Sequence, residues 1–141
     1  MRMTDKQMMA PMSEKAFSDW YVDDIMRAYL TDFFEDLGPN VCRAFTINGM
    51  CYAKHFGFER PDLQGQFVTL MWDVAPNFFM FAEMKPILDA DLSDVDKIDA
   101  LYDTIQSLSD TYTDRIDQRY WYPELVEDNI LGVPFEREET L

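Results

Sequence analysis

The chain reads as one all-α domain, a helical bundle with two long helices and two to four shorter ones. Three observations predict this. Apolar residues recur at spacings of three and four through most of the sequence, Gly and Pro fall between those runs, and the alternating β-branched runs that would make strands are absent. With 141 residues, 48% of them hydrophobic, the chain has the size of one domain and enough apolar material for a core without staples. The expected organisation is a leader over 1–12, a helical domain over 13–135 and a charged tail over 136–141.

Ser13 is an N-cap residue type, and after it Phe17, Tyr21, Ile25, Tyr29, Phe33 and Leu37 follow at intervals of four. Val22, Met26, Leu30 and Phe34 repeat that interval one position on. This predicts a long amphipathic helix over 14–37 with Asp19, Asp23, Asp24, Asp32 and Asp36 outside its apolar face, ended by Gly38 and Pro39. Asn40 caps a second helix over 41–56. Gly49 inside it predicts a close helix crossing, because glycine there costs about 1 kcal/mol relative to alanine. Gly57 stops this helix, and Pro61 opens the third, 62–75, whose Phe67, Leu70, Met71 and Val74 make it the most apolar and hence the centre of the bundle. Between Pro76 and Pro86, Phe78, Phe79, Met80 and Phe81 form a short helix or an irregular segment wrapped mainly onto the core. Ser93 caps a fourth helix, 94–119, in which Val95, Ile98, Leu101, Tyr102, Ile105, Leu108, Tyr112 and Ile116 face inward. Its other face carries Asp96, Asp99, Asp103, Asp110, Asp114 and Asp117, and Tyr120, Trp121 and Tyr122 follow before Pro123.

The 27 acidic residues against 12 basic ones leave a formal charge of −15, which disfavours nucleic acid and anionic lipid and favours a basic partner or plain solubility. Cys42 and Cys51 stand nine residues apart on one helix, on opposite faces and about 13 Å apart along its axis. They cannot pair, which fits a reduced, cytoplasmic protein. The first fifteen residues have no continuous apolar run and break at Pro11, so neither a signal peptide nor an anchor is expected.

His55 is the only histidine, which removes every two-histidine metal motif and the paired Glu-x-x-His set of di-iron bundles. It stands four residues after Cys51, the spacing of a nucleophile and base on one helical face. Neither a third orienting group nor a glycine turn accompanies the pair, and a structural cysteine with a surface histidine outweighs it. Carboxylate pairs such as Asp99 with Asp103 and Asp110 with Asp114 fall on the polar stripe of so acidic a chain, where a solvated face is the simpler account. No phosphate-binding glycine loop occurs. The aromatic group at 120–122 divides evenly between core and interface, since a helix can bury only part of three consecutive rings.

The runs Tyr52-Ala53-Lys54-His55-Phe56-Gly57-Phe58, Gln66-Phe67-Val68-Thr69-Leu70-Met71-Trp72, Ala75-Pro76-Asn77-Phe78, Pro86-Ile87-Leu88 and Lys97-Ile98-Asp99-Ala100-Leu101 resemble a family of small helical bacterial proteins encoded beside type VI secretion spike, adaptor and effector genes. The likeness spans about a third of the chain and consists of core and turn residues. Ala75 stands where that family tends to have Gly, and Asn77 and Phe79 stand where it tends to have acidic residues. The resemblance implies a context of secretion cargo or its handling.

The expected function is a non-catalytic acidic interaction protein, either an accessory that loads a secreted effector or an immunity protein that neutralises one. No cofactor and no metal are expected. The expected partner is a protein with a basic surface, with self-association left open. Its docking residues would be Asp99, Asp103, Asp110, Asp114 and Asp117 for steering and Tyr120, Trp121 and Tyr122 for anchoring. The competing class is a small enzyme or a ligand or haem carrier using Cys51 and His55.

Overall fold

A computed structural model describes residues 10–108, 110–126 and 130–131. The chain is an all-α single-domain bundle, and no strand occurs among the described residues. Of the expected leader only residues 10–12 are described, and they precede the first helix without helical structure; the tail over 136–141 lies outside the described residues.

Helix α1 comprises Glu14–Trp20, a π-helical stretch Tyr21–Met26 and a last turn Arg27–Tyr29. Ser13 caps it as expected, its Oγ accepting from the Ala16 amide at 3.1 Å. The helix does not run through to residue 37. Leu30 takes φ −128° and ψ 43°, and α2, Thr31–His55, starts after it in a new direction. Within α2, Gly38 at φ 83° and ψ 163° separates an arm over 31–37 from the main body over 39–55, which Pro39 opens where its missing N–H leaves nothing unpaired. The end of α2 is a Schellman turn. Gly57 stands at φ 92°, its N–H donates to Lys54 O at 3.0 Å, and the Phe58 N–H donates to Ala53 O at 3.0 Å while the Phe58 ring enters the core.

Helix α3, Pro61–Asp73, occupies the centre, with Leu63, Phe67, Val68, Leu70, Met71 and Trp72 buried. α2 crosses it closely at Gly49, where a Cβ would come within 2.9 Å of Val68 Cγ2 and 3.2 Å of Met71 Sδ. Tyr21 ties α1 to the same helix. Its hydroxyl lies 2.7 Å from Thr69 Oγ1, and because Thr69 donates to Gly65 O at 2.9 Å, Tyr21 is the donor. Phe78 and Phe79 are buried in a 3₁₀ turn, Phe78–Met80, and the short α4, Lys85–Asp89, leads to α5, Asp94–Ser107. Ser93 caps α5, accepting from the Asp96 amide at 3.1 Å.

The expected helix over 94–119 is shorter than its pattern. It ends at Ser107, and Leu108 is extended at φ −71° and ψ 137°. Three 3₁₀ turns follow, Asp110–Arg115, Gln118–Trp121 and Pro123–Leu125. They lie back across the bundle because Asn77 holds them: its Nδ2 donates to Arg115 O at 2.9 Å and its Oδ1 accepts from the Asp117 amide at 2.9 Å. Asn48 adds a second tie, donating to Trp121 O at 2.7 Å.

Candidate functional site

The break at Leu30 turns the arm over 31–37 against the C-terminal end of α3, with the Phe33 and Trp72 ring centroids 4.9 Å apart. The returning C-terminal turns close the other side. Between them lies an open groove of about 380 Å³ lined by Phe33, Asp36 and Leu37 of the arm, Phe45 of the α2 body, Met71 to Pro76 excluding Asp73, and Ile116, Gln118 and Trp121. One wall is aromatic: Trp121 stacks on Phe45 with centroids 4.9 Å apart and planes at 7°, and Trp72 lies 4.4 Å from Trp121. Tyr122 meets Phe45 edge-on at 5.1 Å.

A row of apolar positions at intervals of four is exposed here: Phe33 (39% accessible) and Leu37 (38%) line the groove, Tyr29 (78%) ends α1 before the arm, and Val41 (36%) lies on the α2 body after it. Beside the row stand the exposed carboxylates of Asp32, Glu35 and Asp36, none of which pairs with a cation of the described residues. Some carboxylates elsewhere are paired with cations, while others, Asp99, Asp103 and Asp114 among them, are in no ion pair of the described residues. Asp19 and Asp23 share Arg43, Glu83 is bidentate to Arg115, and Asp62 pairs with Arg60. The Lys15 ammonium, hydrogen-bonded to Asp19, and then Arg43 hold that carboxyl below its usual value.

The residues expected to form the docking surface are not one continuous face. Asp99 and Asp103 are exposed on α5, Asp114 is exposed on the first 3₁₀ turn, and the Asp110 side chain lies outside the described residues. Asp117 is committed locally, capping Gln118–Trp121 and pairing with Arg119 at 2.7 Å, which lowers its carboxyl. Tyr120 and Trp121 are buried, so they hold the C-terminal turns onto α2 and α3, and only Tyr122 is exposed. Tyr29, Phe33 and Leu37 were hidden in the sequence inside a stripe assigned to the apolar face of one helix. Their signal was the interval itself, because a row at strict fours advances about 40° per step around an α-helix and leaves any single face.

Cys42 and Cys51 form no disulfide. Burial raises the Cys42 thiol, and its Sγ lies 3.8 Å from Phe33 O. Cys51 is partly buried, and exposed His55 sets its ring edge-on against Phe56 at 4.9 Å. Among the described residues no group of three His, Cys, Asp or Glu side chains could hold a metal ion, and no helix is long and apolar enough to cross a membrane. No known protein family, curated protein or solved structure matches the chain.

Proposed function

We propose that the chain is a non-catalytic interaction protein of the cytoplasm that binds a basic protein partner through the groove between the 31–37 arm and the C-terminal turns. The observation that carries this reading is the juxtaposition on one arm of exposed Phe33 and Leu37 with exposed Asp32, Glu35 and Asp36, which pair with no cation of the described residues. Apolar side chains supply desolvated contact, and the carboxylates select and steer cations. The same charges oppose a second copy of this chain, which carries −15 overall. With no sheet edge among the described residues to extend, the natural occupant is an amphipathic helix laid along the row with Lys or Arg on its flanks. Exposed Asp99, Asp103 and Asp114 add to the field that draws such a partner in. The resemblance to proteins encoded beside type VI secretion genes makes a secreted effector the partner of choice, with the chain its loading accessory or its immunity protein.

Affinity purification from the native cell tests this directly. A stoichiometric basic protein should co-purify with the wild-type chain and be lost with Leu37→Asp. Val95→Asp, a comparable change on exposed α5 surface, should retain it. Retention of the partner by Leu37→Asp would move the interface elsewhere and end this reading.

A further inference from the structure

The basic side chains of this acidic molecule are not evenly used. Lys15, Arg27, Arg43, Arg60, Arg115 and Arg119 each lie within 4.0 Å of a carboxylate. Lys54, His55, Lys85 and Lys97 pair with no carboxylate of the described residues, and two of them, His55 and Lys85, meet at one place. That place is a second cleft, about 240 Å³, between the end of α2 and α4. His55 and Lys85 line it, Lys54 is the neighbour of His55, and Lys97 donates from α5 to the carbonyl of Leu88, itself a lining residue, at 2.9 Å. The other lining residues are apolar, Phe56, Phe79, Met80, Leu88 and Ile130, except for Asp89.

We propose that this cleft binds a small organic monoanion, an apolar body carrying one carboxylate. The apolar residues receive the body, and the Lys85 ammonium and a His55 ring N–H hold the carboxylate. The volume lies below the roughly 300 Å³ at which drug-sized pockets begin, which limits the body to a short chain or a single ring. Asp89, on the rim one helical turn after Lys85, opposes any ligand of higher charge and so selects a monoanion over a phosphate. The apolar residues add a second discrimination, because a fully hydrated inorganic anion gains nothing from them. This site is separate from the interaction groove and does not depend on it.

Octanoate and the uncharged octanol are the probes, titrated into the full chain at neutral pH and followed by the NMR signals of His55, which are unambiguous because it is the only histidine. Octanoate should shift these signals saturably. Lys85→Gln should weaken octanoate by about fivefold and Asp89→Asn should tighten it by about twofold, the range expected of exposed charge pairs, with octanol unaffected by either. Lys85 and Asp89 are both exposed, so the variants should fold, and Leu37→Asp in the groove should leave octanoate binding unchanged. Octanol binding as tightly as octanoate, a weakening by Asp89→Asn, an equal loss in Leu37→Asp or an absence of saturable shifts would each overturn the proposal.

Discussion

Trp121→Ala separates a ring that holds the fold from one that greets a partner. Trp121 is 4% accessible, stacks on Phe45 at 4.9 Å and lies 4.4 Å from Trp72, so its removal strips one wall of the groove down to the core beneath. Truncating a buried tryptophan typically costs about 3–5 kcal/mol, part of it the ring–ring contacts worth about 0.5–1.5 kcal/mol each. The void here opens into a groove that water can enter, and the Asn48 bond to the residue 121 carbonyl survives the change, which places the expected loss near the lower end, about 3 kcal/mol. For a domain of this length that corresponds to a fall in Tm of roughly 10 °C. Urea unfolding followed by far-UV circular dichroism is the suitable assay, since tryptophan fluorescence would change its own probe set. Tyr122→Ala, which removes an exposed ring touching Phe45 edge-on, should cost about 1 kcal/mol. A Trp121→Ala loss under about 1 kcal/mol, together with lost partner capture, would refute the assignment of Trp121 to the core and return it to the interface.

At the helix crossing, Gly49→Ala should destabilise by about 1 kcal/mol despite the better helix propensity of alanine, because its Cβ would press on Val68 Cγ2 at 2.9 Å. Adding Val68→Ala should make the Gly49 change neutral or favourable, and equal costs in both backgrounds, read from denaturation midpoints, would exclude the close crossing as the cause. The pH dependence has two opposed parts. Asp19, held down first by the Lys15 hydrogen bond and then by Arg43, and Asp117, held down by Arg119, contribute stability present above the unfolded carboxylate value near 4 and lost as pH falls through their lower folded values. Asp73 runs the other way. Desolvation raises its carboxyl, so its contribution is full below the unfolded value near 4 and is lost as pH rises through the folded one. Asp73→Asn should therefore raise the denaturation midpoint at pH 7 and leave it nearly unchanged at pH 3, whereas Asp19→Asn should lower it at pH 7; a gain from Asp73→Asn at both pH values would point to a cause other than charge.

What a sequence can display depends on whether the deciding interaction is local. Ser13, Ser93, Pro61 and Gly57 were legible because a cap or a stop is completed within a few residues, and Gly49 was legible because a glycine inside an apolar helix has few other uses. The end of α5 was not, since the apolar interval continues through Leu108, Tyr112 and Ile116 while the segment is drawn off the helix by Asn77, about forty residues away in sequence, at the carbonyl of Arg115 and the amide of Asp117. The candidate groove was lost for a different reason, which is geometric. Phe17 to Leu37 at intervals of four makes five steps, and at about 40° per step an ideal α-helix would carry the row through roughly 200°, from the core side to the solvent side. The π-helical turns at Tyr21–Met26 wind less per residue and delay this drift, so Phe17 and Tyr21 are fully buried and Ile25 still packs on the core. Leu30 then ends the helix while remaining in the core itself, and the arm that follows starts on a new axis with Phe33 and Leu37 at its surface. One uninterrupted interval thus serves the core in its first half and the surface in its second: Tyr29, 78% accessible at the end of α1, has already left the core, and the break at Leu30 then sets Phe33 and Leu37 along the groove.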